Sequence, residues 1–215
     1  MGVGLRALAV VLALAAVCLA GSGVSRPGTA HAANVGELIV LEGRAVVTRA
    51  GKPFIVRDRA PLQAGDRVDT LAGAKARLAI GGQEPGVESI LSSRTSVTVH
   101  ALQPGVASAP ISLAFGALRA RVRAWSGPPL VATPAAVVGI KGTDFVTWVK
   151  RPKAAEFVGV EGLIECVSQS NKSFSIRIGP RQWGEIVENQ KPKAPVAVPD
   201  ALWNTVQKEF AFPGK

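Results

Sequence analysis

The chain has 215 residues, a formal net charge of +10, and hydrophobic side chains at 47% of positions, which suits one folded domain with a core of ordinary size rather than a disordered polyanion binder. With two Cys, two His and no Tyr, it holds neither a disulfide framework nor a multi-His metal site. Once the N-terminal segment with His31 is removed, as argued below, a His-based triad would rest on His100 alone, at the end of a strand, where a half-exposed structural role is the ordinary one.

The N-terminus reads as an export signal. Arg6 gives a basic start, Ala7 to Ala20 is an unbroken apolar run too short to cross a bilayer comfortably, and Ala30-His31-Ala32 is an A-x-A cleavage pattern. Cleavage is expected after Ala32, with Ala20 as an earlier alternative. Cys18 follows Ala-Ala-Val without the Leu usual three places before a lipidated Cys, so it is taken as an apolar core residue of the signal. Removing 32 of the 215 residues, Arg6 and Arg26 with them, leaves 183 residues and a formal net charge of +8. Outside the cytoplasm such a chain meets anionic envelope polymers or lipid headgroups rather than nucleic acid. No segment after the signal is long and apolar enough to span a membrane, although a membrane surface stays open as a partner. The expected location is periplasmic or extracellular.

From Val35 onward the pattern is one of short strands punctuated by Gly. Gly43 to Arg49, Pro53 to Arg57, Arg67 to Thr70, Ala76 to Ile80 and Ser96 to His100 alternate apolar with polar residues, and none sustains a helical period. Gly65-Asp66, Gly81-Gly82, Pro85-Gly86 and Pro104-Gly105 supply turns between them. At Ile111 to Trp125, alternation places Arg119, Arg121, Arg123 and Trp125 on one strand face and Leu118, Ala120, Val122 and Ala124 on the core side. Three guanidinium groups about 7 Å apart with an aromatic ring form a strip for phosphates, carboxylates or sugar rings. The plainer reading is a solvated outer face, with cross-strand acids such as Glu161 or Glu165 neutralising it.

Val131 to Val149 reads as two strands and a turn. Thr133 precedes Pro134 and is biased to an extended conformation; Ala135 to Val138 continue as a strand, and Lys141-Gly142 supplies the reversal. Gly139 would permit close backbone approach and Gly142 a positive φ. Thr143, Phe145, Thr147 and Val149 then share one face, with Asp144, Val146 and Trp148 on the other. Further strands are expected at Phe157 to Val160, Gly162 to Val167 around Cys166, Phe174 to Ile178 and Gln182 to Val187. Cys166 should be a buried, inert thiol, with an intermolecular disulfide or a reactive thiol as the alternatives.

The tail changes composition. Gln190 to Pro199 is Pro-rich and reads as an extended linker, after which Asp200 is expected to cap a helix from Ala201 to Phe210. Leu202, Trp203, Val206 and Phe210 fall on one stripe of that helix. A helix so short does not hold alone in water, so it docks either on its own domain or on a partner.

Chemistry finds few residues here. There is no G-x-S-x-G or paired C-x-x-C, and Gly139 to Thr143 departs from a phosphate-binding Walker loop because its Lys precedes the second Gly. Asp144, Glu156, Glu161, Glu165 and Glu185 are the acids a glycan-cleaving cleft would draw on, but acids scattered over strand faces are ordinary. The chain is read as non-catalytic and without cofactor or metal.

Three segments resemble the FecR domain family. Thr133-Pro134, the small apolar run with Gly139, then Gly142-Thr143 and Phe145 are similar to its most recognisable stretch; Leu62 to Ile80 looks like its opening segment, and Ile111 to Trp125 like its Leu, Gly and alternating strand. The match runs from about Gly65 to Val149. What the resemblance implies is an all-β domain of compact roll or solenoid type, with a β-sandwich as the alternative, occupying residues 33–189 before the linker at 190–199 and the helix and tail at 200–215. FecR domains often form the periplasmic part of membrane regulators that relay a receptor's state to a sigma factor. This chain resembles the stand-alone exported members, with no cytoplasmic domain before its apolar segment. The resemblance implies a protein-binding, sensory or signal-relay module; the alternative is a structural envelope protein holding anionic polymer, glycan or lipid headgroups through the basic strand face.

Overall fold

The computed structural model describes residues 34–81, 86–101, 109–122 and 130–213, and of residues 140–142 the backbone only. The N-terminal segment read as an export signal, with Cys18, and Arg123 and Trp125 of the expected basic strip lie outside the described residues. Residues Ala32–Lys215 make one compact unit. It is all-β: 62% of the described residues are strand, in a five-stranded barrel core with further strands outside it and one short C-terminal helix.

The strands in chain order are β1 (Asn34–Glu42), β2 (Ala45–Arg49), β3 (Lys52–Val56), β4 (Arg59–Gln63), β5 (Arg67–Thr70), β6 (Lys75–Ile80), β7 (Val87–Leu91) and β8 (Ser96–Val99). They continue with β9 (Ile111–Val122), β10 (Val131–Ala132), β11 (Ala136–Arg151), β12 (Ala154–Ser168), β13 (Ser175–Ile178), β14 (Gln182–Val187) and β15 (Val196–Ala197), followed by α1 (Asp200–Glu209). One hydrogen-bonded network joins all of these strands. Its ladders are antiparallel except for β10 against β9.

β9 holds the arrangement together. Its first half pairs with β8 and, through β5 and β2, with β3; its second half pairs with β7 and β11. The strand changes course at Gly116, whose φ is +93°, and a Cβ there would lie 2.5 Å from the Cα of Thr95. The Thr95 hydroxyl accepts from Ala117 N at 3.0 Å and donates to Ala117 O at 3.1 Å, so the backbone at the bend keeps its hydrogen bonds. Gly116→Ala combines a left-handed conformation with overpacking, and should lower the unfolding free energy by about 2–4 kcal/mol in a urea titration.

Alternation decides the core. Ala76, Leu78 and Ile80 of β6, Leu118, Ala120 and Val122 of β9, and Phe145 and Val149 of β11 all point inward and are buried together with Val47, Val68 and Val97 from β2, β5 and β8. Phe145 and Phe157 are the largest side chains of this cluster.

Several expected boundaries shift. Lys141-Gly142 does not reverse the chain. β11 runs straight through it, and the register slips by one residue, from Lys141 opposite Leu163 to Asp144 opposite Glu161. This is a β-bulge, and Gly162 across from it takes a φ of +72°. The same pairing fuses the two strands expected at Phe157 and Gly162 into the single β12. Nor does Gly139 serve a close approach: a Cβ there would meet only Glu165 O, at an ordinary 3.7 Å. Besides Gly116, the positions that need their glycine for contact include Gly36, where a Cβ would sit 2.2 Å from Ala79 O on the neighbouring strand, and Gly159, where it would sit 2.2 Å from Gly179 O. β1, β4 and β7 were not foreseen, since Leu38 to Leu41 does not alternate in hydropathy and β4 and β7 are short.

The Pro-rich linker is partly built into the sheet, because β15 pairs with Gln182 and Trp183 of β14 and Val198 N donates to Arg181 O at 2.8 Å. α1 starts at Asp200 with Pro199 in the cap position and no side-chain cap bond; Asp200 instead pairs with Arg181. No described helix is long and apolar enough to cross a membrane.

Candidate functional site

The layer formed by β1, β6, β7, the second half of β9, β11 and β12 faces the core on one side and α1 on the other. On that outer side one cross-strand row runs Arg77, Ile90, Arg119, Val146, Val158, and the next runs Glu88, Arg121, Asp144, Glu161. Asp144 is therefore directly across from Arg121 and diagonal to Arg119, within reach of both guanidinium groups.

All three side chains converge. Arg119 donates from Nε to Asp144 Oδ1 at 2.6 Å and from Nη2 to Oδ2 at 2.7 Å, a bidentate pair; Arg121 adds Nε and Nη2 to Oδ2, both at 3.2 Å. Arg119 is 5% exposed and Asp144 3%. Held by four N–H donors from two guanidinium groups, the Asp144 carboxylate is the centre of a buried charge cluster. Arg119 and Arg121 thus do not form an open strip of alternating cations. Their neutralising acid is Asp144, while Glu161 is exposed and Glu165 lies 3.5 Å from Arg177.

The C-terminal tail closes over the cluster. Arg119 also donates from Nη1 to Phe210 O at 3.3 Å, and the Phe212 ring lies with its centroid 4.0 Å from Arg121 Cζ and 5.4 Å from Arg119 Cζ. Val206, Phe210 and Phe212 are buried against Ile90, Ala117 and Val146, with Leu41, Trp148, Val160 and Leu202 packed around them. Phe210 meets Trp148 edge-on at 6.0 Å between centroids. Trp203 points the other way on the helix, its ring 5.1 Å from Arg181 Cζ. Of the expected helix stripe, Leu202, Val206 and Phe210 come together on the sheet and Trp203 does not join them.

The other residues singled out in the sequence have local roles. The Thr133 hydroxyl accepts from Ala136 N at 3.0 Å and donates to Ala136 O at 2.9 Å, closing a turn that leaves Pro134 exposed. Thr143 and Phe145 are buried, the Thr143 hydroxyl without a partner. Glu156 and Glu185 are cross-strand neighbours, each held by a cation: Lys150 at 3.0 Å and Arg151 at 2.5 Å. His100 shares a 2.9 Å hydrogen bond with Ser112. Among the described residues no group of His, Cys, Asp and Glu is placed to hold a metal ion.

Cys166 is fully buried, and burial, then the nearby Glu165 charge, raises its thiol pKa well above the ordinary value. The thiolate is the reactive form, so Cys166 should resist a thiol reagent at pH 8 in the folded protein and react on denaturation. Rapid labelling of the native state would contradict this.

Two features carried little signal in the sequence. Phe212 lies past the helix, and only its spacing from Phe210 hints that both rings meet one surface. Asp66 is 1% exposed and accepts from Arg49 Nε and Nη2 at 2.9 and 2.7 Å and from Gln63 N at 2.8 Å, whereas Gly65-Asp66 reads in the sequence only as a turn.

No family model matches the chain, and no curated protein does. Two crystal structures of a candidate anti-sigma factor from Parabacteroides distasonis are similar in fold, one at 13% identity with a TM-score of 0.51, the other at 12% with 0.52. The first match covers 64% of this chain and 64% of that one, the second 65% and 63%. The chain therefore spans just under two thirds of the length of the structures it matches, and the likeness is one of fold.

Proposed function

We propose that this chain is an exported, non-catalytic FecR-domain protein of the cell envelope, acting as a protein-binding, signal-relay module. The observation that carries the reading is the helix seated on the outer sheet face. The molecule holds a groove that accepts an amphipathic helix, a standard mode of peptide recognition, and fills it with its own C-terminal tail. An all-β fold shared with a candidate anti-sigma factor, and the order of the three FecR-like segments, support a regulatory role over a catalytic one. A free ten-residue helix is unstable in water, so releasing α1 unfolds it, and docked and released tails are two discrete states that a partner is able to bias.

The test is affinity capture from the organism's envelope extract with residues 33–215 as bait, comparing wild type with Phe212→Ala and washing at low and then high salt. The relay reading expects one defined protein that survives high salt and is enriched by the variant, whose tail is looser. Material released by salt from both baits alike, or nothing retained, would count against it. The alternative of an anionic ligand on the Arg119 strip is left with little free surface, because Arg119 is buried and both placed arginines are bound to Asp144.

A further inference from the structure

The second layer of the fold presents an outer face on which no described element packs. Across β3, β2, β5, β8 and the first half of β9, one cross-strand row reads Ile55, Val46, Asp69, Ser96, Phe115, and the next reads Pro53, Thr48, Arg67, Thr98, Ser112. Beyond the first row, backbone hydrogen bonds place Arg44 and Arg94 on either side of Leu71. The alternate residues of these strands, among them Val47, Val68, Val97 and Leu113, are in the core, so the rows belong to the surface.

The chemistry of this face is uneven. Ile55 is 57% exposed and Phe115 50%, both within strands, and Leu71, just past the end of β5, is 37% exposed. They do not form one greasy patch: Ile55 and Phe115 stand four strand spacings apart, about 19 Å, with Val46, Asp69 and Ser96 between them. Charge is one-sided, with Arg44, Arg67 and Arg94 against the single acid Asp69, which Arg67 Nε engages at 2.9 Å. Asp69, Leu71, Arg94, Ser96 and Phe115 line an open depression of about 310 Å³.

We propose that this face binds an extended acidic glycan, a chain of uronate-type sugars lying across the strands. The depression and the residues around it have a use for such a ligand. Phe115 offers a flat apolar ring to a sugar face, Asp69 accepts from its hydroxyls while Ser96 both donates and accepts, and Arg94 and Arg44 pair with its carboxylates, in a depression of a size to take one ring. Thr48, Thr98 and Ser112 continue the hydroxyl-bearing surface toward β3. A second copy of the chain is disfavoured, because like arginines would meet face to face. A lipid bilayer is disfavoured because the apolar residues are spread apart rather than gathered for insertion. The proposal stands independently of the relay reading, which concerns the sheet face under α1.

The test uses the full chain and an oligogalacturonate of about eight sugars as probe, with a neutral glucan of the same length and phosphatidylglycerol-containing vesicles as comparisons, by calorimetry at low salt. Binding of the acidic oligomer is expected, weakened at least tenfold by Arg44→Glu combined with Arg94→Glu, several-fold by Phe115→Ser, and by added salt, with no effect of Lys172→Glu on a distant turn. Ile55→Ser is the second probe of the same face, and unchanged thermal melting of each variant separates lost binding from lost folding. No binding of the acidic oligomer, binding equal for the neutral glucan, binding untouched by the face substitutions, or binding to the vesicles alone would each overturn the proposal.

Discussion

Asp144→Ala should lower the unfolding free energy by about 3–5 kcal/mol, the cost typical of removing one partner from a buried ion pair. The reason is asymmetric desolvation. As a whole, the Arg119, Asp144 and Arg121 cluster contributes little net stability, because taking its charges out of water offsets most of their attraction. Deleting the one acid leaves two guanidinium groups beside each other, one of them almost without solvent. Arg121→Met should cost less, since Asp144 keeps the shorter, bidentate bonds from Arg119. Urea titrations of the two variants check the order, and a loss for Arg121→Met as large as that for Asp144→Ala would contradict the placement of Asp144 between them.

Phe210→Ala should give the second large effect, with a different signature. Truncating a buried Phe ordinarily costs about 3–5 kcal/mol, but here the loss has a ceiling. Phe210 belongs to the smaller apolar cluster between α1 and the outer sheet face, whereas the main core lies on the other side of that sheet. Once the variant has lost the whole docking free energy of the tail, the tail releases and the sheet is left standing. The expected result is a helix signal lost at low urea while the sheet unfolds in a separate later transition, and a change in the fluorescence of Trp148, whose aromatic neighbour is gone. A single transition lowered for helix and sheet together would show that the tail is not a separable unit.

How far the fold was legible follows from which forces are local. Alternation is local, and it put Leu118, Ala120 and Val122 inward and Arg119 and Arg121 outward without knowledge of any partner strand. Leu202, Val206 and Phe210 of the stripe on α1 were legible for the same reason, as was the need for that helix to dock, whereas Trp203 was wrongly included in the stripe. Its location was not, because the groove is assembled from Leu41, Ile90, Ala117, Val146 and Trp148, scattered over four strands. Asp144 shows the limit most clearly. Its place opposite Arg121 is a register fact, set by how β11 lies along β9, and the bulge after Lys141 decides which acid on β12 faces it. Sequence reasoning offered Glu161 and Glu165 as counter-ions because strand neighbours were guessed without a register. The Lys141-Gly142 reversal failed on a related point: a glycine with turn chemistry also suits a bulge, and only the long partner β12 distinguishes them. Asp200 was expected to cap its own helix, but Arg181, brought near by the β14 and β15 pairing, holds it instead.

The central claim is that the tail is a docked element with its own equilibrium, resting on a charge cluster that stays in place when it leaves. Native-state hydrogen exchange on residues 33–215, followed as a function of low urea, measures that equilibrium for each segment. The account predicts that amides of Trp203 to Phe210 exchange through an opening of lower free energy than those of β9 and β11, and that Phe212→Ala lowers the first value while leaving the second unchanged. Exchange of α1 only through the same global unfolding as the strands, in both proteins, would contradict it.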